Sequence, residues 1–411
     1  MLAILIVILA FNFMDRFALG VVLQDIKTDL KLSDTQLGLL SGLAFALFYS
    51  VMGIPIARWA DRGNRVTIIS VTTALWSAMV ALCGMATSFI QLLAIRIGVA
   101  VGEAGCIPPA HSLIADHFAR DERPRAVALY MLGAPLSLIG GYFLAGWLNE
   151  LYGWRAMFVM LGLPGLAVAA LAWLVLREPR REIRMMTAVQ ASAAAPSPRE
   201  VCVALWANKT FRHLLFSFSI MSFFGYGILQ WQPTFFIRSY GLQTGELGTW
   251  FAGVNGLGAL VGTYWGGELA TRYAARDESL QLKAMSFIYA GFGILSFCSY
   301  LAPNYYLAFG LMGLGTLGGA AANGPLFATI QTLVPDRMRA MSIAIVYLFA
   351  NLIGMGLGPL AAGVLSDALR PLFGEESLRY ALLALSPGYL WAAWHLAQGS
   401  RTVTHDLAEV Y

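Results

Sequence analysis

Four ionisable side chains lie deep inside apolar stretches of the chain: Asp15 and Arg16 in the first stretch, Arg96 and Glu103 in the fourth. A charge near the middle of a bilayer costs roughly 2.5–3.5 kcal/mol on insertion scales, so such groups are retained for pairing or for a task. Within LLAIRIGVAVGEAGCIPPAHSLIA, Arg96 and Glu103 are close to two helical turns apart. That spacing puts both on one face, about 10 Å apart along the axis. Asp15 and Arg16 are adjacent, about 100° apart around a helix, so they either neutralise each other's surroundings or each reach the fourth segment. The carboxyls of Asp15 and Glu103 can take up and release a proton. The guanidinium groups of Arg16 and Arg96 can hold a phosphate or carboxylate with two hydrogen bonds. Protonating either acid leaves an arginine without its partner, and an anionic headgroup can replace it. Glu103 is the favoured proton site, because Asp15 has Arg16 beside it, and Arg96 is the first choice for a headgroup. The competing reading is a purely structural network of four charges, although buried ion networks are weak stability devices.

Other polar groups in apolar surroundings are weaker candidates. Asn12, Asn323 and Asn351 fit interhelical hydrogen bonding, and Asn12 and Asn323 are also placed among the substrate-binding set. The seventh segment is aromatic-rich, and Tyr226 and Trp231 are its best cavity candidates because each has a polar atom to satisfy. His111, beyond Pro108–Pro109, reads as a packing residue at a helix end. The four cysteines, Cys83, Cys106, Cys202 and Cys298, form no CxxC or Cys/His spacing. No metal site, disulfide or cofactor is therefore expected. No glycine-rich phosphate loop precedes any lysine, so any pumping draws on an ion or substrate gradient. No nucleophile–base arrangement is present either, so an enzyme is not expected.

The composition sets where these residues must be held. The 411 residues are 58% hydrophobic and 12% charged, with mean hydropathy +0.66. A soluble domain carries about twice that charge, so the chain is an integral membrane protein, with no case for nucleic-acid binding. Twelve apolar segments long enough to span run from about 2–23 to about 378–397. The first follows Met1 without a basic region and reads as a retained helix rather than a cleaved signal peptide. Nineteen Lys and Arg fall in the loops after even-numbered segments and the C-terminal tail, against six in the opposite loops. That bias places both termini and the middle loop in the cytoplasm, with the protein in the inner (plasma) membrane.

The middle loop, 177–210, opens with REPRREIR and continues through ASAAAPSP, the composition of a basic, flexible tether. It divides an N-terminal bundle, 1–176, from a C-terminal bundle with a short tail, 211–411. WADRGNR (59–65) aligns with LATRYAAR (269–276), Arg62 falling on Arg272 at an offset of 210, and RPRAVALY aligns with RMRAMSIAIVY at an offset of 214. Two matches at nearly one offset argue for a duplicated six-helix unit with parallel repeats. Adding that offset to the four buried charges lands on uncharged residues, so only the first half is ionic at its centre.

At this point the chain resembles the major facilitator superfamily. ARWADRGNR (57–65) is similar to its signature between the second and third helices, with Ala57 in place of the first glycine. The stretch from Arg96 resembles its fourth-helix arginine motif, and GAPLSLIGG (133–141) its fifth-helix glycine–proline motif. GWRAMF (153–158) resembles its usual entry to the sixth helix. NFMDRFALGV, GLL, ALFYSVMGIP, DRGNR, RIGVAVGEAG and SLIADHF narrow the resemblance to the spinster family, including its bacterial members. All of these strings lie in the first half. The resemblance implies an all-α fold of twelve transmembrane helices in two pseudo-symmetric six-helix bundles. It also implies secondary transport of lysolipids or sphingoid lipids. Asp61 and Arg62, with Arg65, read as a latch between states rather than as catalytic groups. One ionic wall facing an apolar-to-aromatic one suits a ligand with a charged head and a greasy tail. The expected function is proton-coupled transport of such an amphiphile by a monomer, by alternating access and in contact with membrane lipid. Small organic anions or hydrophobic drugs are the alternative cargo. A non-transporting receptor or sensor is disfavoured because the chain offers only a linker and a short tail beyond its helices.

Overall fold

The computed structural model describes residues 1–119, 122–179, 198–273, 277–335 and 338–408. A few helical side chains, those of Asp61, Arg62 and Asn323 among them, fall outside what it describes. Local signals start and stop the helices. The first, α1 (Leu2–Leu30), ends on Lys31, whose φ of 54° is left-handed, and Ser33 and Gln36 form a reciprocal cap that begins α2 (34–62). Asn64 caps α3 (Arg65–Cys83) and Ser88 caps α4, which runs Phe89–Glu103, turns through 104–106, and resumes as Ile107–His117 with prolines in its first turn. Helices α5 (123–152) and α6 (153–175) meet without a loop at Gly153, where φ is 79°. Only glycine takes that backbone conformation without strain.

The last part of the 177–210 loop, read from sequence as a flexible tether, is a short helix, α7 (Pro198–Ala207), and after it come α8 (Lys209–Tyr240), α9 (244–273), α10 (Glu278–Tyr300), α11 (Tyr305–Thr332), α12 (339–373) and α13 (377–408). Without α7, the described residues make twelve passes, and no strand occurs among them. Three passes contain a wider π-type stretch, at Leu39–Leu43 in α2, Ala252–Leu257 in α9 and Ala350–Leu357 in α12. The first two are separated by 252 − 39 = 213 residues, within the repeat offset read from the sequence.

Contacts group the described residues of 1–191 and 232–252 into one unit, and those of 192–231 and 253–411 into another. In the first unit α1 and α3 pack on α5 and α6, and the linker-side core joins Leu5, Ile8, Ile69, Leu113, Ile114 and Tyr130. Two glycines of α4 let α3 come close. A Cβ on Gly102 would lie 2.7 Å from Trp76, and one on Gly105 would strike Thr72, so α3 and α4 touch nearly backbone to backbone. In the second unit α8, α10, α11 and α13 enclose a core that includes Leu214, Leu282, Tyr289, Leu326 and Leu396.

At the far side from the linker, α5 and the start of α9 are equally close. A Cβ on Gly146 would collide with the Thr244 carbonyl and lie 2.9 Å from the Gly248 Cα. Overpacking of this kind costs about 1–3 kcal/mol. Gly146→Val should therefore lower the melting temperature in detergent, while Gly253→Ala, with no atom within 4 Å of its added Cβ, should leave it unchanged. Equal melting of both variants would refute this packing.

Candidate functional site

Helix α4 carries two charges toward α1, and the pairs they form are crossed. Arg96 Nη1 donates to Asp15 Oδ2 at 2.5 Å. Arg16 donates to Glu103 Oε2 through Nη2 at 2.5 Å and Nε at 2.8 Å. Asp15 and Arg16 thus each reach α4 rather than each other. The second carboxyl oxygens, Asp15 Oδ1 and Glu103 Oε1, accept from no donor among the described residues. Asn12 is fully buried beside them and donates to the Glu103 carbonyl at 3.4 Å.

The two arginines differ in access. The Arg96 side chain is 1% exposed, against 16% for Arg16. The Arg16 guanidinium carbon lies 4.7 Å from the ring centroids of Phe13 and Phe45 and 4.8 Å from that of Tyr49. Phe45 also faces Arg96 at 5.2 Å. Aromatic faces stabilise a guanidinium while leaving its hydrogen-bonding edge for an anion. Phe45 and Tyr49 follow directly on the π-type stretch of α2. The sequence reading missed these three rings, because scattered aromatics in an apolar protein carry no signal of their own.

The remaining candidates are dispersed. Arg65 is fully buried and closes the first unit on its linker side. Its Nη1 donates to the Ser112 carbonyl at 2.9 Å and pairs with Asp116 at 2.6 Å, and both its backbone N–H and its guanidinium bind Glu178. It clamps the start of α3 to the end of α4 and to the segment that follows α6. Asp61 and Arg62 sit at the end of α2, with side chains outside the described residues, as is that of Asn323 in α11. Trp231 is buried, and its indole N–H is used on the Pro359 carbonyl at 2.9 Å. Tyr226 is exposed. His111 packs edge-on to Tyr130 at 5.3 Å.

A second ionic cluster had no counterpart in the sequence reading. Asp34 is fully buried and holds Arg238 in a fork, Nη1 to Oδ2 at 2.8 Å and Nη2 to Oδ1 at 2.7 Å. Lys27 adds a bond at 2.5 Å to the same carboxylate, and Arg238 Nε donates to Gln24 at 2.7 Å. Nearby, Asn149 donates to Asp25 at 2.5 Å and to Thr244 at 3.2 Å, and Glu150 accepts from the Gly245 N–H at 2.6 Å. The signal was the Ser33–Gln36 cap, which fixes Asp34 in a first helical turn and turns it inward. Breaking a buried pair from one side costs about 3–5 kcal/mol, and Lys27 should hold the effect to the lower part of that range. Arg238→Leu is expected to lower the melting temperature clearly, and Asp34→Leu added to it should restore most of the loss. A melt unaffected by Arg238→Leu would refute the pairing.

The comparisons with known proteins bear on this geometry as a whole. The chain is 33% identical over 382 residues to an MFS-type efflux pump of Mycolicibacterium smegmatis, covering 91% of this chain and 86% of the relative. It is 27% identical over 414 residues to protein spinster homolog 1 of Xenopus laevis, covering 93% and 77%. Among solved structures, it superposes with a TM-score of 0.85 and 31% identity on a bacterial homologue of the human lysosomal transporter spinster. That structure was captured inward-facing and unoccupied, and the match covers 98% of this chain and 97% of that one. The family profile of the Major Facilitator Superfamily matches residues 5–359. The chain therefore belongs to that superfamily: it is a multi-pass membrane transporter of the twelve-helix fold, similar to spinster proteins, and not an enzyme.

Proposed function

We propose that the protein is a proton-coupled carrier of an amphiphilic anionic or zwitterionic lipid, of the lysophospholipid or sphingoid-phosphate type, working by alternating access. The observation that carries this reading is the pair of buried carboxyls, Asp15 and Glu103, each closed on one arginine through one oxygen while its second oxygen accepts from no donor among the described residues. A proton arriving on either carboxyl weakens its ion pair. Arg16, the more exposed cation, sits among three rings that fit an acyl or sphingoid chain next to its headgroup. Access makes Arg16, rather than the enclosed Arg96, the arginine offered to substrate, with Arg96 holding Asp15 in place. A second cargo class, small organic anions or hydrophobic drugs, is supported by the likeness to the mycobacterial efflux pump.

In proteoliposomes, Glu103→Gln should abolish substrate-dependent proton movement while retaining binding. Arg16→Ala should weaken binding by about tenfold or more, the loss of one charge-assisted hydrogen bond of roughly 1.5–3 kcal/mol. Accumulation of substrate by Glu103→Gln under a pH gradient would remove the coupling role. A clear preference for small anions over lysolipids would select the second cargo. The orientation is proposed on the arginine bias: inner membrane, with both termini and the 177–210 loop cytoplasmic. A cysteine at Ser192 should resist an impermeant reagent in intact cells, and ready labelling from outside would reverse it.

A further inference from the structure

Helix α7 (Pro198–Ala207) has two apolar faces, and the protein covers only one. Val201 and Leu205 are buried in the second unit's core with Leu333, Val334 and Met338. On the other side Val203 is 64% and Trp206 55% exposed. The helix cannot sit far from the bilayer. Asn208 is the single residue between it and α8, whose first turn is capped by Asn208 Oδ1 on the Phe211 N–H at 2.7 Å and by Asp406 on the Thr210 N–H at 2.7 Å. The exposed face continues into side chains of the spanning helices. Trp206 meets Phe216 edge-on at 6.1 Å, Phe216 meets His395 at 5.5 Å, and His395 lies 4.8 Å from the exposed Trp394. Basic groups border this strip: Arg199 and Lys209 are exposed, and the Arg212 guanidinium lies over Trp206 at 6.0 Å. Glu200 is the acid of the helix.

We infer that α7 is a surface anchor that lies in the headgroup layer of the leaflet on the linker side and binds anionic phospholipid. Val203 and Trp206 enter the acyl boundary, and Arg199, Lys209 and Arg212 meet lipid phosphates. A tryptophan whose face carries a guanidinium suits this depth, with its ring in the apolar layer and the cation at the phosphates. The partner is the lipid surface itself, because the strip is continuous with exposed aromatic side chains of the apolar helices α8 and α13 and its rim is basic. The consequence is that the linker's second end is fastened at the membrane plane, independent of what the carrier transports.

The test is a nitroxide on Val203→Cys in a background lacking the four native cysteines, reconstituted in vesicles of phosphatidylcholine alone or mixed equally with phosphatidylglycerol. Collisions with oxygen should exceed those with a water-borne nickel chelate, more so with phosphatidylglycerol. Each of Arg199→Gln and Lys209→Gln should cut the bound-to-free ratio about fivefold in the anionic vesicles, the equivalent of about 1 kcal/mol per basic residue. Free access of the nickel chelate in both vesicles would overturn the assignment. So would a label shielded from both reagents in a manner that depends on protein concentration, which would mean that a second copy covers the face.

Discussion

Two ion pairs in one bundle, Asp15 with Arg96 and Arg16 with Glu103, constrain everything around them. Each charge alone would be prohibitive to bury, so the pairs hold α1 and α4 at one separation and one rotation. The close packing of α4 on α3 at Gly102 and Gly105 follows from that demand, since α4 must present its charged face to α1 while its back rests on something solid. The aromatic rings around Arg16 and the inward-turned Asn12 fill the same space. The bundle is thus organised from its polar centre outward, although most of its buried residues are apolar.

The sequence carried this centre well. Charges in a hydrophobic run stand out against their surroundings, and helical periodicity alone put Arg96 and Glu103 on one face. What it could not show was partner choice, because the contact between residues 15 and 96 depends on how two helices lie side by side. The outer cluster of Lys27, Asp34 and Arg238 was hidden for a different reason. Hydropathy ends the first span where charges begin, at about 23, but α1 runs on to Leu30, and α8 likewise carries Arg238 in its last turn before Tyr240. Charges that looked like loop residues are helical, and one of them is fully buried. At Trp231 the polar atom that marked it as a cavity candidate is taken by a backbone carbonyl of α12, a partner that the sequence does not show.

The two units use their polar groups differently. In the first, charges pair in its middle and at both of its ends, with Arg65 on Glu178 and Asp116 on the linker side and Arg238 on Asp34 on the far side. In the second, the buried carboxylate of Asp406 caps a helix, and hydroxyls such as Ser217 and Ser286 bond the backbone of α13. This agrees with the lopsidedness seen when the repeats are aligned. The paired charges are concentrated in one unit, and the buried polar groups of the other mostly bond its own backbone.

The π-type stretches set the rotation of whatever follows them in their helices. Such a stretch is an α-helix with one residue too many, and the extra residue shifts every side chain beyond it by about 100° around the axis. It is costly to gain and, once the following residues have adapted, costly to lose. The stretches at Leu39–Leu43 and Ala252–Leu257 fall at the repeat spacing. The helices carrying these two stretches are therefore turned by a similar amount at the same place in each repeat, while the charges of α1 and α4 have no counterpart at that spacing.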